Sequence, residues 1–418
     1  MTGIQIHPPE RLNSCVLNPG GSKSISNRLL ILREVFNGSF SISHLSRSED
    51  TLVLQQALEQ IRAGSGAKIH VKQAGTVFRF LTAYLSTREG EWEIGGSDRL
   101  NERPVTELVE ALRELGAEIE YLGASQKAPL RIRGRKLFGG KLSIHAGTSS
   151  QFITALLMIA PLLNNGLELD LQSKPVSLPY IRMTVELMKY LGADVEHSAQ
   201  KIRVSAKPPL LSGTKHISVE SDWSSASYWF SLCALMQNSE IQLAGLSKQS
   251  LQADAVLPAL YENLGVSSQF NGEILHLQQK GKAHSEFEYN FVDCPDIAMT
   301  VACTCMALKL DTRLAGLKTL QLKESRRLDA LCSDFRKFGI NPQTTPDTFV
   351  FDARSLTPFA SPVQVDTFQD HRLAMSFAPL SIHYPGLIVE DPEVVNKSYP
   401  EFWNDLQSLG FRLNLLSC

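Results

Sequence analysis

The stretch Leu108–Leu122, LVEALRELGAEIEYL, changes its hydrophobic period partway along. Leu108, Leu112 and Leu115 recur at helical spacing, Gly116 interrupts, and Ala117, Ile119 and Tyr121 then alternate with glutamates as in a half-buried strand. A glycine at that point suits the left-handed residue that closes a helix. The pattern returns in TVELMKYLGADVEHS (184–198), LPALYENLGVSSQF (257–270), LCSDFRKFGINPQT (331–344) and FWNDLQSLGFRLNL (402–415). Gly116, Gly192, Gly265, Gly339 and Gly410 stand 76, 73, 74 and 71 residues apart. One Leu-Gly pair carries nothing; five at nearly constant spacing define a repeat.

The period is longer than that of common solenoid repeats, so each copy reads as a small subdomain of helices and strands. LVLQQALEQIRAGSGAKIHV (52–71), around Gly64 and Gly66, reads as a shortened copy. Six units, the first truncated, fill the chain. Single cores stop growing beyond about 250–300 residues, so six units predict two lobes of three. The expected lobes are residues 1–20 with 221–418, and residues 21–220, with short crossovers and a ligand cleft between them. The fold class is α/β, with helices and sheets in every unit.

Of the 418 residues, 43% are hydrophobic and 20% charged, the balance of an ordinary globular protein. The formal charge of −2 gives no global attraction to nucleic acid or an anionic membrane, so anion affinity must come from local cation clusters. The longest apolar runs, such as ITALLMIAPLL (153–163), fall short of the ~20 residues of a membrane span. MTGIQIHPPE at the start has no basic region followed by an apolar one, so no signal peptide is read. The seven cysteines have neither zinc spacing nor the look of a disulfide framework, which fits reduced thiols in a cytoplasmic protein. No metal site is expected.

Such cation clusters exist. In NPGGSKSISNRLLIL (18–32), Ser22, Lys23, Ser24, Ser26 and Arg28 gather where a turn enters an apolar helix. Free N–H groups and the helix dipole favour an anion there. Gly75 and Arg79 enter a helix in QAGTVFRFLTAYL (73–85), and Ser149, Ser150 and Gln151 do so in GTSSQFITALLMIAPL (147–162). Arg103 precedes Pro104, which reads as a first helical residue. SDWSSASYWFSLCAL (221–235) repeats the pattern with Asp222, Ser224 and Ser225. The second half adds Asp296 in CPDIAMTVACTCMAL (294–308), Lys323, Glu324, Arg326 and Arg327 in LQLKESRRLDAL (320–331), Asp370, His371 and Arg372 in FQDHRLAMSFAPL (368–380), and Lys397 in VVNKSYPEFW (394–403). Taken singly, each is explained as a helix cap, a solvated charged turn or, for His371, a structural histidine. Together they are the equipment for binding small phosphate or carboxylate groups.

In this order the motifs GGSKSISNR, AGTVFR, NERP, SSQFITALLM, SDWSSASY, PDIAMT, LKESRRL, QDHRLAM and NKSYPEF resemble those of the EPSP synthase family, the enolpyruvyl transferases of the shikimate pathway. They span residues 20 to 402. The resemblance implies a two-lobed, inside-out α/β barrel of six βαβαββ units. It implies transfer of the enolpyruvyl group of phosphoenolpyruvate to the 5-hydroxyl of shikimate 3-phosphate, with release of phosphate, through a tetrahedral intermediate. It implies no metal or cofactor and no partner beyond these two small molecules; a monomer is expected, and two lobes with cations divided between them should close on anionic substrates.

By the same resemblance, Asp296 and Glu324, with Lys23, would exchange the protons of the reaction. Lys23, Ser24, Arg28, Ser149, Ser150, Gln151, Ser177, Tyr180, Asp296 and Lys323 would hold shikimate 3-phosphate. Lys23, Gly75, Arg79, Arg103, Gln151, Arg327, Arg372 and Lys397 would hold phosphoenolpyruvate. The segment between Asp50 and Gln73 is about twenty residues shorter than in familiar members, which would remove most of one unit's sheet. Gln73, Phe80, Arg182, Thr319 and Arg326 also depart from the family pattern. Two other readings remain open. A sister transferase acting on UDP-N-acetylglucosamine uses a mobile-loop cysteine as acid, and SDRLNERPVTEL (97–108) has none. A non-catalytic phosphosugar-binding relative would lack Lys23, Asp296 or Glu324, and all three are present.

Overall fold

In a computed structural model of the chain, the residues described are 2–145, 149–173, 177–198, 200–207, 215–356 and 362–416. The five Leu/Phe-Gly glycines all take positive φ, from +83° to +102°. At Gly116 the end is a Schellman closure, with N–H of Gly116 on Arg113 O and N–H of Ala117 on Leu112 O, each 2.9 Å. A Cβ at these positions would carry the left-handed conformation at a cost, which is why glycine marks them.

One repeat shows the plan. Strands Lys68–His70 and Gly90–Gly95 lie parallel with helix Gly75–Ser86 between them in sequence. Helix Thr106–Glu114 follows, and the hairpin Glu118–Tyr121 and Leu130–Gly134 then folds antiparallel onto Gly90–Gly95. Four other four-stranded sheets repeat this order. The chain separates into two units, Met1–Gly21 with Glu220–Cys418, and Ser22–Val219. The first contains three complete repeats; in its last one the N-terminal strand Gly3–His7 lies between Leu387–Glu390 and Arg412–Leu416.

The Ser22–Val219 unit contains two complete repeats and a truncated one. Among the described residues the truncated sheet has two strands, Phe40–Ser43 and Lys215–Ser218, in parallel. Its helices are Lys23–Val35 and Glu49–Ala63. The strand after Gly66 does not belong to this copy, contrary to its reading as the tail of a shortened unit. Lys68–His70 instead begins the next sheet beside Gly90–Gly95.

Helices form the inside of each unit and strands the outside. All ten residues of Ala298–Ala307 are buried, as are all but one of Ser150–Ile159, whereas strands such as Lys201–Val204 alternate buried and exposed. An all-round apolar helix must be covered on every face, and an alternating strand has one face for water. The few polar atoms within the helical core bond to one another. In the larger unit Ser227 meets Thr300 at 3.2 Å and Thr300 meets Ser376 at 3.1 Å, linking helices Trp223–Leu235, Ala298–Ala307 and His371–Phe377. These are the equivalent first helices of three repeats. Repetition therefore packs like against like and brings their N-terminal turns together. In the smaller unit, helices Lys23–Val35, Gly75–Ser86 and Ser150–Ile159 pack in the same way.

Candidate active site

In the larger unit, Arg327 is the hub. It is the first residue of helix Arg327–Lys337 and only 1% exposed. Its Nε and Nη2 meet Asp370 Oδ2 and Oδ1 at 2.8 and 3.3 Å, its Nη1 meets Asp296 Oδ1 at 3.1 Å, and its Nη2 meets Glu324 Oε2 at 2.9 Å. Asp370 also caps helix His371–Phe377 through the Arg372 N–H and accepts from Ser325 Oγ, each at 3.0 Å. Arg372 Nη2 reaches Asp296 Oδ2 at 3.1 Å, Lys323 Nζ reaches Asp296 Oδ1 at 3.3 Å, and Lys397 Nζ lies 3.5 Å from Glu324 Oε1. Four cations thus surround the two predicted acid–base carboxylates.

The environment sorts these groups. Burial works to push the Asp296 carboxyl up, but Arg372, Lys323 and Arg327 overcome it and hold it well below the usual carboxylate range. Burial pulls the Lys323 ammonium down, with Asp296 opposing. For Arg327, burial is outweighed by Asp370, Glu324 and Asp296, and its affinity for the proton rises. The solvated-turn reading of LKESRRL fails for Arg327, and the surface-turn reading of Lys397 fails too, since Lys397 is buried at the end of the 3₁₀ turn Pro392–Lys397. It holds for Arg326, which is mostly exposed and pairs with Asp329 at 2.9 Å. His371 is buried, its Nδ1 3.8 Å from Asp370 Oδ1. Just before Asp370, both Phe368 and Gln369 have positive φ, +49° and +57°, so the turn that delivers Asp370 and Arg372 is under backbone strain.

In the smaller unit, Arg28 is 2% exposed. Its Nε donates to Thr184 Oγ1 at 2.8 Å, its Nη1 to Ser24 O at 2.8 Å and its Nη2 to Tyr180 O at 3.3 Å. The rings of Phe80 and Tyr180 flank its guanidinium, so the departure at Phe80 supplies a cover for this cation. Burial pulls Arg28 down to about 10, with Tyr180 opposing. Lys23 Nζ meets Asp50 Oδ2 at 3.3 Å.

Arg79, Gly75, Gln151 and Arg103 form a second group. Arg79 Nη1 donates to Gly75 O at 3.0 Å and Gln151 Oε1 at 2.9 Å, and its Nη2 to Pro104 O at 3.3 Å. Gln151 Nε2 donates to Thr76 Oγ1 at 3.1 Å. A Cβ on Gly75 would meet the guanidinium tips of Arg103 and Arg79, so a side chain there would push both arginines from their places beside this helix start. Cations beside a helix N-terminus oppose the dipole, an arrangement that an anion between them would relieve. Pro104 is not the first helical residue: the helix begins at Thr106 after Val105, and Arg103 lies in the turn following Asp98–Asn101. Ser149 accepts from the Gln151 N–H as a cap. Ser177, at φ +54°, starts helix Leu178–Tyr190 in a left-handed conformation and is buried. Ser150 is buried and Tyr180 half-buried.

Sequence reasoning assigns no role to Asp50, Asp254 or Thr184. Asp370 was visible as a cap but not as the clamp on Arg327. Asp254 offered one signal, an acid set among apolar residues in LQADAVLPAL (251–260). Among the described residues, no group of three or more His, Cys, Asp and Glu could hold a metal ion, and no helix is long and apolar enough to cross a membrane.

The family model for EPSP synthase (3-phosphoshikimate 1-carboxyvinyltransferase) matches residues 6–406. The chain is 40% identical over 409 residues to a 3-phosphoshikimate 1-carboxyvinyltransferase of Bacteroides fragilis, covering 97% of this chain and 98% of that protein. It is 33% identical over 434 residues to one of the same name from Pseudoalteromonas translucida, covering 98% and 100%. Among solved structures, an EPSP synthase from Acinetobacter baumannii superposes with a TM-score of 0.78 at 19% identity, over the full length of both chains. The enolpyruvyl transferase NikO of Streptomyces tendae does so with a TM-score of 0.77 at 15% identity, covering 100% of this chain and 99% of that one. At those identities the two structures speak to the fold alone.

Proposed function

The chain belongs to the EPSP synthase family, and on that premise we propose that it transfers the enolpyruvyl group of phosphoenolpyruvate to the 5-hydroxyl of shikimate 3-phosphate, yielding 5-enolpyruvylshikimate 3-phosphate and phosphate. The observation that carries the reading is the convergence of Lys323, Arg327, Arg372 and Lys397 on Asp296 and Glu324. Cations hold the phosphate and carboxylate of phosphoenolpyruvate, while carboxylates beside them manage protons.

In the addition step, the 5-oxygen attacks carbon 2 and loses its proton while the methylene carbon gains one. In the elimination step, the methyl carbon gives a proton back, the carbon–oxygen bond to phosphate breaks and the double bond re-forms. We assign the proton at the methylene carbon to Glu324. Asp296, held as an anion by three cations, is assigned to orient the 5-hydroxyl and take its proton as the 5-oxygen attacks. Lys323, 3.3 Å from Asp296, is assigned to keep that carboxylate in place. Arg28, Ser24, Ser149, Ser150, Gln151, Ser177 and Tyr180 are assigned to shikimate 3-phosphate, with Lys23 serving both substrates. Gly75, Arg79 and Arg103 are assigned to the anionic groups of phosphoenolpyruvate, Arg79 through its hold on Gln151.

The test is release of inorganic phosphate from phosphoenolpyruvate with shikimate 3-phosphate as acceptor, in parallel with UDP-N-acetylglucosamine. Release is expected with the first acceptor alone. Release with the second, or with neither, overturns the reading.

A further inference from the structure

Asp254 is 2% exposed, in the 3₁₀ turn Ala253–Val256. Gln252 fastens that turn to the start of helix Trp223–Leu235: its Oε1 accepts from the Trp223 N–H at 3.1 Å and its Nε2 donates to Ser221 O at 2.8 Å. The result is a close hydrogen bond from Ser224 Oγ to Asp254 Oδ2. The same Ser224 Oγ accepts from Arg372 Nη2 at 3.5 Å, and that Nη2 is the nitrogen that meets Asp296 Oδ2 at 3.1 Å. A chain of donors thus runs from a substrate-side arginine through a hydroxyl to a buried acid. Asp254 Oδ1 is buried without a hydrogen-bond partner among the described residues.

We propose that Asp254, acting through the Ser224 hydroxyl, is a positioning residue that holds Arg372 for phosphoenolpyruvate. The proposal rests on the functional reading above. Holding Ser224 alone needs no charge, since a neutral acceptor would serve with a smaller desolvation cost. An ionised Asp254 does more: it can only accept the Ser224 hydrogen bond, so the hydroxyl proton points at the carboxylate and the oxygen lone pair is turned to Arg372. A protonated Asp254 donates to that oxygen and competes with the guanidinium.

Asp254 is faced by Asp222 at the cap of the Ser224 helix, by Asp296 and Cys294 from the turn around Pro295–Ile297, and by Arg372 from helix His371–Phe377. Burial first, then the charge of Asp296, raises Asp254 to about 7, with Ser224 and Arg372 opposing. The acid therefore changes state in the neutral range, and arginine positioning strengthens as pH rises through it.

Steady-state kinetics for both substrates between about pH 6 and 8.5 test this, on the wild type, Asp254→Asn, Asp254→Ala and Ser224→Ala. In the wild type, KM for phosphoenolpyruvate should fall several-fold from acid to alkaline pH, and Asp254→Asn should lack the part of that change due to Asp254. Asp254→Ala and Ser224→Ala should raise KM for phosphoenolpyruvate about 10-fold, the scale of a charged hydrogen bond, with kcat and KM for shikimate 3-phosphate changed less than about 3-fold. If the alanine variant of Asp254 fails to fold, the isosteric asparagine decides. Equal losses for both substrates, or a wild-type pH profile in Asp254→Asn, overturn the proposal. A wild type that releases no phosphate from these substrates sinks the functional reading instead.

Discussion

Arg28 and Arg327 are buried to the same degree, in different units, and the protein treats them in opposite ways. Arg28 lies among neutral partners, a threonine hydroxyl, two backbone carbonyls and two aromatic faces, and burial lowers its proton affinity. Arg327 lies among Asp370, Glu324 and Asp296, and its proton affinity rises despite the burial. Dipoles can tolerate a cation without cancelling it. Arg28 therefore keeps most of its field for an incoming phosphate, whereas Arg327 shares its charge with the protein's own carboxylates. The first is suited chiefly to a ligand; the second also aims the carboxylates around it.

Removing each arginine should expose that difference. Arg327→Met leaves three carboxylates at one site and should cost roughly 3–5 kcal/mol of stability, the usual penalty for breaking a buried ion network from one side. Urea unfolding would measure it, and a loss under about 1 kcal/mol would mean that Arg327 is not the hub. Next in size is the effect on the acids that Arg327 orients. Asp296→Asn and Glu324→Gln should each lower turnover by about 100-fold or more while shikimate 3-phosphate still binds by calorimetry. Near-normal turnover in both would remove the proton roles assigned to them. The smallest effect belongs to Arg28. Arg28→Gln should leave the unfolding midpoint almost unchanged, because a desolvation cost vanishes with the hydrogen bonds, yet weaken shikimate 3-phosphate about 10-fold or more. If Arg28→Gln unfolds as readily as Arg327→Met, the two arginines are not distinct and the comparison collapses.

Much of this could be read from the chain because its signals are local. Gly116, Gly192, Gly339 and Gly410 directly follow the C-cap residue of a helix and Gly265 lies one position further on, and the left-handed turn they make depends on neighbours within six positions. Helix-entry motifs such as SSQF and QDHR are legible for the same reason. What was not legible depends on distant partners. Lys68–His70 looked like the end of one repeat because nothing in its sequence tells which sheet its hydrogen bonds join. The helix start at Thr106 was hidden by a proline that favours helix starts but also favours turns. Asp370 and Arg327 are 43 positions apart, and Asp254 and Ser224 are 30 apart. An aspartate that clamps an arginine and one that merely caps a helix look the same in one dimension.

The strand Gly3–His7, held between Leu387–Glu390 and Arg412–Leu416, has a consequence for how the protein is made. Residues 22–219 form a unit with no gap in sequence, so on a ribosome that unit has all its parts well before residues 387–416 are made. Gly3–His7 emerges earlier still, yet its sheet partners are made only after residue 386. Through most of synthesis that strand carries two unpaired edges on a tether, the kind of exposure that invites association with other nascent chains. Nascent chains stalled after about residue 270 should therefore protect residues 22–219 from protease while the N-terminal segment is still cut, and full protection of that segment should await emergence of Arg412–Leu416.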